Sequence, residues 1–403
     1  TTVTVNLNGH NITFAKDAHF YVGGNNTLNL TGTGVVAESI PDRAPVYVTG
    51  NADYTNNKAV VNVGKDVTLQ GWAGVFVNNL TGTYSSGIEV NIAGTLKAQG
   101  NGTAVYVYGG ITNVDDKAPV INIQSTARLT SADGCGMYLA GYANTTIADG
   151  ASITGTTGIE IRAGKLTVNG GTITGTAQST TVTANGNGST TQGAGVAIAQ
   201  HTSCLPIEVT INNGTIKGAT ALNEANPQNN GSDATAKESI SVVGGNFVGA
   251  ISSETVNGFI SGGTFSQAFN TDYVKSGYML GQNEDKSFSV GKTPDPTPAP
   301  TPDDSQYYTC KDCGHHNWTA TADGYKCDTC GRIETKQLSG YKNVKGTYTP
   351  TASAAVAKTT SAIPQTSAIP QTSDAMPIVP IAIVMIAALL GLGVTLYMKK
   401  KHN

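Results

Sequence analysis

The chain has 403 residues, 13% of them charged, with 49 Gly and a formal net charge of −3. So few charges beside so many Gly, Thr, Asn and Val exclude a coiled coil and argue against a disordered chain. Lys399, Lys400 and Lys401 are three of the 24 basic groups and no acid follows Asp374, so residues 1–375 carry 21 basic against 27 acidic groups, a balance of −6. With no basic stripe, nucleic-acid binding is not expected.

Through residues 1–269, two alternating apolar residues, a turn of Gly or Asn and one more apolar residue recur, as in VTVNLNGHNIT at 3–13, VVNVGKDVTL at 60–69 and KLTVNGGTITG at 165–175. A second phrase sets one residue between two apolar ones: FYV at 20–22, VYV at 46–48, VFV at 75–77, VYV at 105–107, MYL at 137–139, IEI at 159–161 and VAI at 196–198. Strand phrases that return every 20–40 residues or so mark a solenoid, since one unit buries its apolar face only by stacking on its neighbours. The period-two rule turns Val5, Leu7, Val61 and Val63 inward and Asn6, Asn62, Asn122 and Thr210 outward. The expectation is an all-β parallel solenoid of about ten coils, right-handed by the crossover rule and roughly 50 Å long.

In the second phrase the outward positions are Tyr21, Tyr47, Phe76, Tyr106 and Tyr138, followed by Glu160 and Ala197. Stacked coils align the five rings over roughly 20 Å. Two readings stand side by side. The stripe is a ligand site for pyranose rings or an apolar partner, or it is a cross-strand ladder that stabilises the sheet. Loops at 49–58, 78–86, 109–118, 176–192 and 219–238 swell the corners; insertions on a solenoid often carry binding, and tolerated surface drift is the equal alternative. Glu160 and Arg162 share one outward-facing side of a strand and read as an exposed ion pair. Cys135 and Cys204, two coils apart at roughly 10 Å, exceed the reach of a disulfide and read as free thiols.

The repeats resemble the right-handed parallel β-helix of the pectate-lyase-like superfamily. Many of its members cleave acidic polysaccharides with clustered Asp and an Arg. The strands here offer only Glu160 with Arg162, Glu89 and Glu208, with no Asp at matching positions on neighbouring coils. No enzyme is expected, because fold alone confers no activity and paired carboxylates on one face are missing.

Beyond the repeats, residues 270–290 read as a cap that covers the last coil's sheet edge. Residues 291–305 (GKTPDPTPAPTPDDS) form a Pro-rich spacer. Residues 306–335 hold two CxxC knuckles, Cys310 with Cys313 and Cys327 with Cys330, with 13 residues between them. A two-residue gap lets both thiolates reach one ion, and four cysteines leave no open position, which suits a structural zinc; a pair of disulfides is the competing reading. The pattern resembles a zinc ribbon over 308–333. Residues 336–376 read as a disordered Ser/Thr/Pro/Ala stalk.

Residues 377–398 are an uncharged run of 22 residues, long enough to cross a bilayer as a helix, and the basic tail 399–403 stays cytoplasmic by the positive-inside rule. Everything before Pro377 is then outside the cell. The order of Ile369, Pro370, Gln371, Thr372 and Ser373, an apolar span and a basic tail resembles a Gram-positive LPxTG sorting signal, with Ile in place of Leu and Ser in place of Gly. The resemblance implies cleavage by a sortase after Thr372 and attachment to peptidoglycan; a plain membrane anchor is the alternative. No signal peptide precedes the repeats, so the sequence reads as a processed or truncated product. The functional expectation is a surface-anchored adhesin or glycan-binding module that meets a glycan or a host or neighbouring cell surface. A polysaccharide lyase or hydrolase and a passive spacer are the alternatives.

Overall fold

A computed structural model describes residues 1–15, 18–40, 43–50, 58–78, 87–112, 114, 118–294 and 306–349. The sorting motif at 369–373, the apolar run 377–398, the basic tail and most of the Pro-rich spacer lie outside the described residues. Among the described residues no helix is long and apolar enough to cross a membrane. The chain divides into two compact units, Thr1–Thr297 and Pro298–Asn403.

The regular structure of the first unit is mostly parallel strand. Its first sheet has nine strands, from Thr2–Asn6 to Glu238–Val242, each paired in parallel with the next turn of the chain. The inward residues fall in one file: Val5 pairs with Leu30, Leu30 with Val63, Val63 with Ile92 and Ile92 with Ile123. A second ladder aligns Val36, Leu69, Leu96, Leu129 and Ile153. A third aligns Val46, Val75, Val105, Met137 and Ile159. The chain visits the three ladders in turn, as in Asn144–Ile147, Ser152–Gly155 and Ile159–Ile161 before it returns to the first sheet at Gly164–Val168. This architecture is compatible with a parallel β-solenoid.

The alternation of apolar and polar residues does the folding. The inward files meet in one continuous core from Leu7 to Val290, and burying each Val, Ile or Leu there is worth about 1.5–3 kcal/mol over leaving it in water. The outward file of the first sheet is polar and bonded along the axis. Asn122 donates to Asn91, Asn91 to Asn62, and Asn62 to Asn29, each at 2.8–2.9 Å. Corners are tight: at Gly164, φ +94°, a Cβ would lie 2.3 Å from the Ala143 carbonyl oxygen. After the stacked rings of Phe247 and Phe265, a hairpin of Tyr278–Gln282 and Phe288–Lys292 pairs antiparallel with Thr264–Phe265. This hairpin lies where the sequence places the cap.

The second unit is a four-stranded sheet around a small core of Tyr308, Cys310, Trp318, Tyr325, Cys327 and Leu338. Its packed part runs past residue 335, where the sequence reading begins the stalk. Leu338 is buried, Val344–Lys345 pairs in parallel with Trp318–Thr319, and Tyr348 packs on Tyr325. One large apolar residue every few positions is too sparse a pattern to announce this.

Candidate binding cleft and cysteine centre

The third ladder places the five expected aromatic residues in strict register. Tyr21 pairs with Tyr47, Tyr47 with Phe76, Phe76 with Tyr106 and Tyr106 with Tyr138. The rings, however, turn toward one another. Tyr106 and Tyr138 lie parallel at 5.5 Å, Tyr47 and Phe76 stack at 4.9 Å, and Phe76 meets Tyr106 edge-on at 4.6 Å. His19 inserts beside the first two, 4.3 Å from Tyr47 and 6.4 Å from Tyr21. Strand spacing of about 4.8 Å leaves little alternative to such contacts, so much of each ring face is taken up within the ladder.

Exposure falls along the stripe. Tyr21 is 54% exposed, the middle three are half-buried, and Tyr138 is 6% exposed. The cause is a strap, residues 178–192, whose Thr181–Val182 and Thr191–Gln192 segments pair antiparallel. It folds back over the ladder and is pinned there from beneath. Glu160, next in register after Tyr138, accepts hydrogen bonds from the backbone N–H of Thr190 at 2.8 Å and of Thr191 at 2.9 Å, and from the Thr190 hydroxyl at 3.0 Å. Arg162 donates to the carbonyls of Gly188 at 2.7 Å and Asn185 at 2.8 Å, and to the Tyr138 hydroxyl at 3.1 Å. Gln228 donates to the same Asn185 carbonyl at 3.0 Å.

The expected exposed ion pair is therefore corrected: Glu160 and Arg162 are both fully buried. Period two turned them outward, but the strap covers that face and takes their hydrogen bonds. Burial pushes the Glu160 carboxyl up, opposed by the Thr191 and Thr190 amides and the Arg162 charge. Burial also pushes the Tyr138 phenol up to about 12 and His201 down, so both are neutral at pH 7.

Between strap and ladder lies a cleft of about 330 Å³. Trp72, Tyr106 and Tyr138 form one wall, and Asn185, Asn187 and Ser189 of the strap form the other. Trp72 stands edge-on to Tyr106 at 5.6 Å, and its indole N–H points to the Asn101 side-chain oxygen at 3.4 Å. A smaller cleft of about 160 Å³ lies on the other flank of the strap tip, with Tyr108, Ala140 and His201. Trp72 and Asn101 are outside the repeated phrases and were not marked by the sequence, whereas the strap falls within the 176–192 insertion, which was. Tyr142 is buried against Ala118 and Ala163.

In the second unit, Cys310, Cys313, Cys327 and Cys330 bring their sulfurs within 4.8 Å of one another. The Sγ atoms of Cys310 and Cys330 are 3.5 Å apart and those of Cys313 and Cys327 3.6 Å, so no disulfide joins them. A tetrahedron of metal–sulfur bonds of about 2.3 Å has edges of about 3.8 Å, and the cluster fits a metal ion on that scale. Gly314 and Gly331, φ +71° and +77°, turn the chain after each knuckle. Cys135, buried, and Cys204 are free thiols, as expected.

No family model, no curated protein and no solved structure matches this chain.

Proposed function

We propose that the protein is a surface-displayed binding module whose ligand is a saccharide held between the strap and the aromatic ladder. One observation carries this reading: aromatic walls and amide and hydroxyl groups converge in a cleft whose strap wall is fixed by a buried Glu–Arg pair. Apolar ring surface with a few well-placed polar groups is the usual composition of a small-ligand pocket. The five-ring stripe thereby narrows to its strapped end, with Tyr21, Tyr47 and Phe76 as the approach.

The reading includes a right-handed β-helix of about ten coils as the rigid carrier and a structural zinc in the four-cysteine cluster, which four thiolates with no open position favour. It also takes residues 369–373 and 377–398 as the sorting and membrane segments that leave the solenoid outside the cell. A glycan array probed with the full chain tests the function. Retention that is lost in Trp72→Ala with Tyr106→Ala, in a variant that still unfolds cooperatively, is the expected result. Retention indifferent to both substitutions, or silence across the array, removes the proposal.

A further inference from the structure

We infer that the cleft recognises the uncharged end of a saccharide chain, an inference that rests on the saccharide reading above. Two independent features point there.

The first is charge. No Asp, Glu, Lys, Arg or His is among the residues lining the larger cleft. Beside it, Glu160 and Arg162 are a buried pair with Nε and Oε1 4.0 Å apart, and the strap, Tyr138 and the Gln200 carbonyl take their hydrogen bonds. A carboxylated or sulfated sugar would enter this cleft without a countercharge, and an unpaired charge in a desolvated site is costly. The polar groups left over include donors. Tyr138 accepts from Arg162, so its own hydroxyl proton is free to be given. Asn101 accepts from Trp72 through its oxygen, which leaves its amide N–H groups. Such donors complement the ring and hydroxyl oxygens of a neutral sugar.

The second is closure. Along the solenoid axis, Tyr138 is covered by the strap, and the next two positions in register, Glu160 and Ala197, are fully buried. Across the strands, the strap tip at Gly186–Gly188 separates the larger cleft from the smaller one. Cys135 is buried on the larger cleft's lining. Trp72 and Asn101 line the side away from that closed end, and Tyr21, at the far end of the ladder, is 54% exposed. About 330 Å³ sits near the lower end of the ligand-pocket range of about 300–1,000 Å³. That is room for a terminal unit, with the rest of the chain leaving along the stripe.

Calorimetric titration of the full chain tests this with three sets of probes. The first is the linear tetrasaccharides of glucose, galactose, mannose and N-acetylglucosamine; the second is the same chains ended by sialic or glucuronic acid; the third is a cyclic glucose oligomer, which has no end. At least one neutral linear chain should bind, with its acid-ended form at least tenfold weaker and the cyclic oligomer silent. Asn187→Asp, on the exposed strap tip, should weaken the neutral chain about tenfold without lowering the melting temperature. Acid-ended or cyclic probes that bind as well as the neutral linear chain overturn the inference and leave the saccharide reading standing. If no probe of any set binds, the saccharide reading itself falls.

Discussion

In the unit ending at Thr297 the core is one column, fed by every turn of the chain from Leu7 to Val290. Among the described residues of the unit beginning at Pro298 it is six buried residues, two of them cysteines of the metal-sized cluster. The long unit has many small equivalent contributions, and deleting one leaves the rest in register. The described part of the short unit has little apolar area with which to hold itself, and on the proposed reading it leans on one metal cross-link. The same contrast recurs within the long unit, where the strap is irregular and is held by a few side chains, Glu160, Arg162 and Gln228 among them.

The largest effect should come from the short unit. Metal removal by a strong chelator, or Cys310→Ser with Cys327→Ser, should unfold it, since thiolate-bound zinc contributes about 10–16 kcal/mol to folding of such modules. Fluorescence of the buried Trp318 reports the loss, while the far-ultraviolet signal of the solenoid should keep its melting temperature. A common melting event would break the contrast.

Next is the strap. Arg162→Met leaves the Glu160 charge buried without its partner and should cost about 3–5 kcal/mol in chemical denaturation. The double variant with Glu160→Gln should recover part of that, and hydrogen exchange at the Thr190 and Thr191 amides should quicken in either case. Unchanged exchange would mean that the pair does not hold the strap.

A third effect depends on pH. Burial and the neighbouring Glu224 push the Glu238 carboxyl up to about 8 from an ordinary value of 4.5. The folded state then holds a proton that the unfolded chain releases, so this contribution is complete below about pH 4.5 and is lost as pH rises through about 8. Glu238→Gln should flatten stability over that window; an unaltered slope would assign it to other groups. The smallest effect belongs to the repetitive face. Asn62→Ala removes one donor and one acceptor of the asparagine ladder and should cost about 1–3 kcal/mol, the remaining rungs staying paired.

What could be read from the sequence follows the same division. Inward files such as Val63, Ile92 and Ile123, and the register of Tyr47, Phe76 and Tyr106, were legible because alternation and spacing repeat on every turn. The strap's course over the ladder was not. Residues 178–192 are mostly Thr, Asn, Gly and Ser with no period, and its partners Glu160 and Arg162 lie well before it in a phrase that otherwise points outward. Nor does alternation say how rings arrange themselves once they are neighbours. Leu338 and Tyr348 were missed for the opposite reason, as isolated apolar residues in a polar stretch.

The claim on which the functional account depends is that the strap and the ladder together form a saccharide cleft. Fluorescence of Trp72, read in a Trp318→Phe background against neutral linear tetrasaccharides, tests it most directly. The account predicts a saturable change that disappears in Tyr106→Ala and weakens in Asn187→Ala. A saturable change that survives both substitutions would place the ligand elsewhere, and the cleft would be no more than the gap left beneath a folded-back loop.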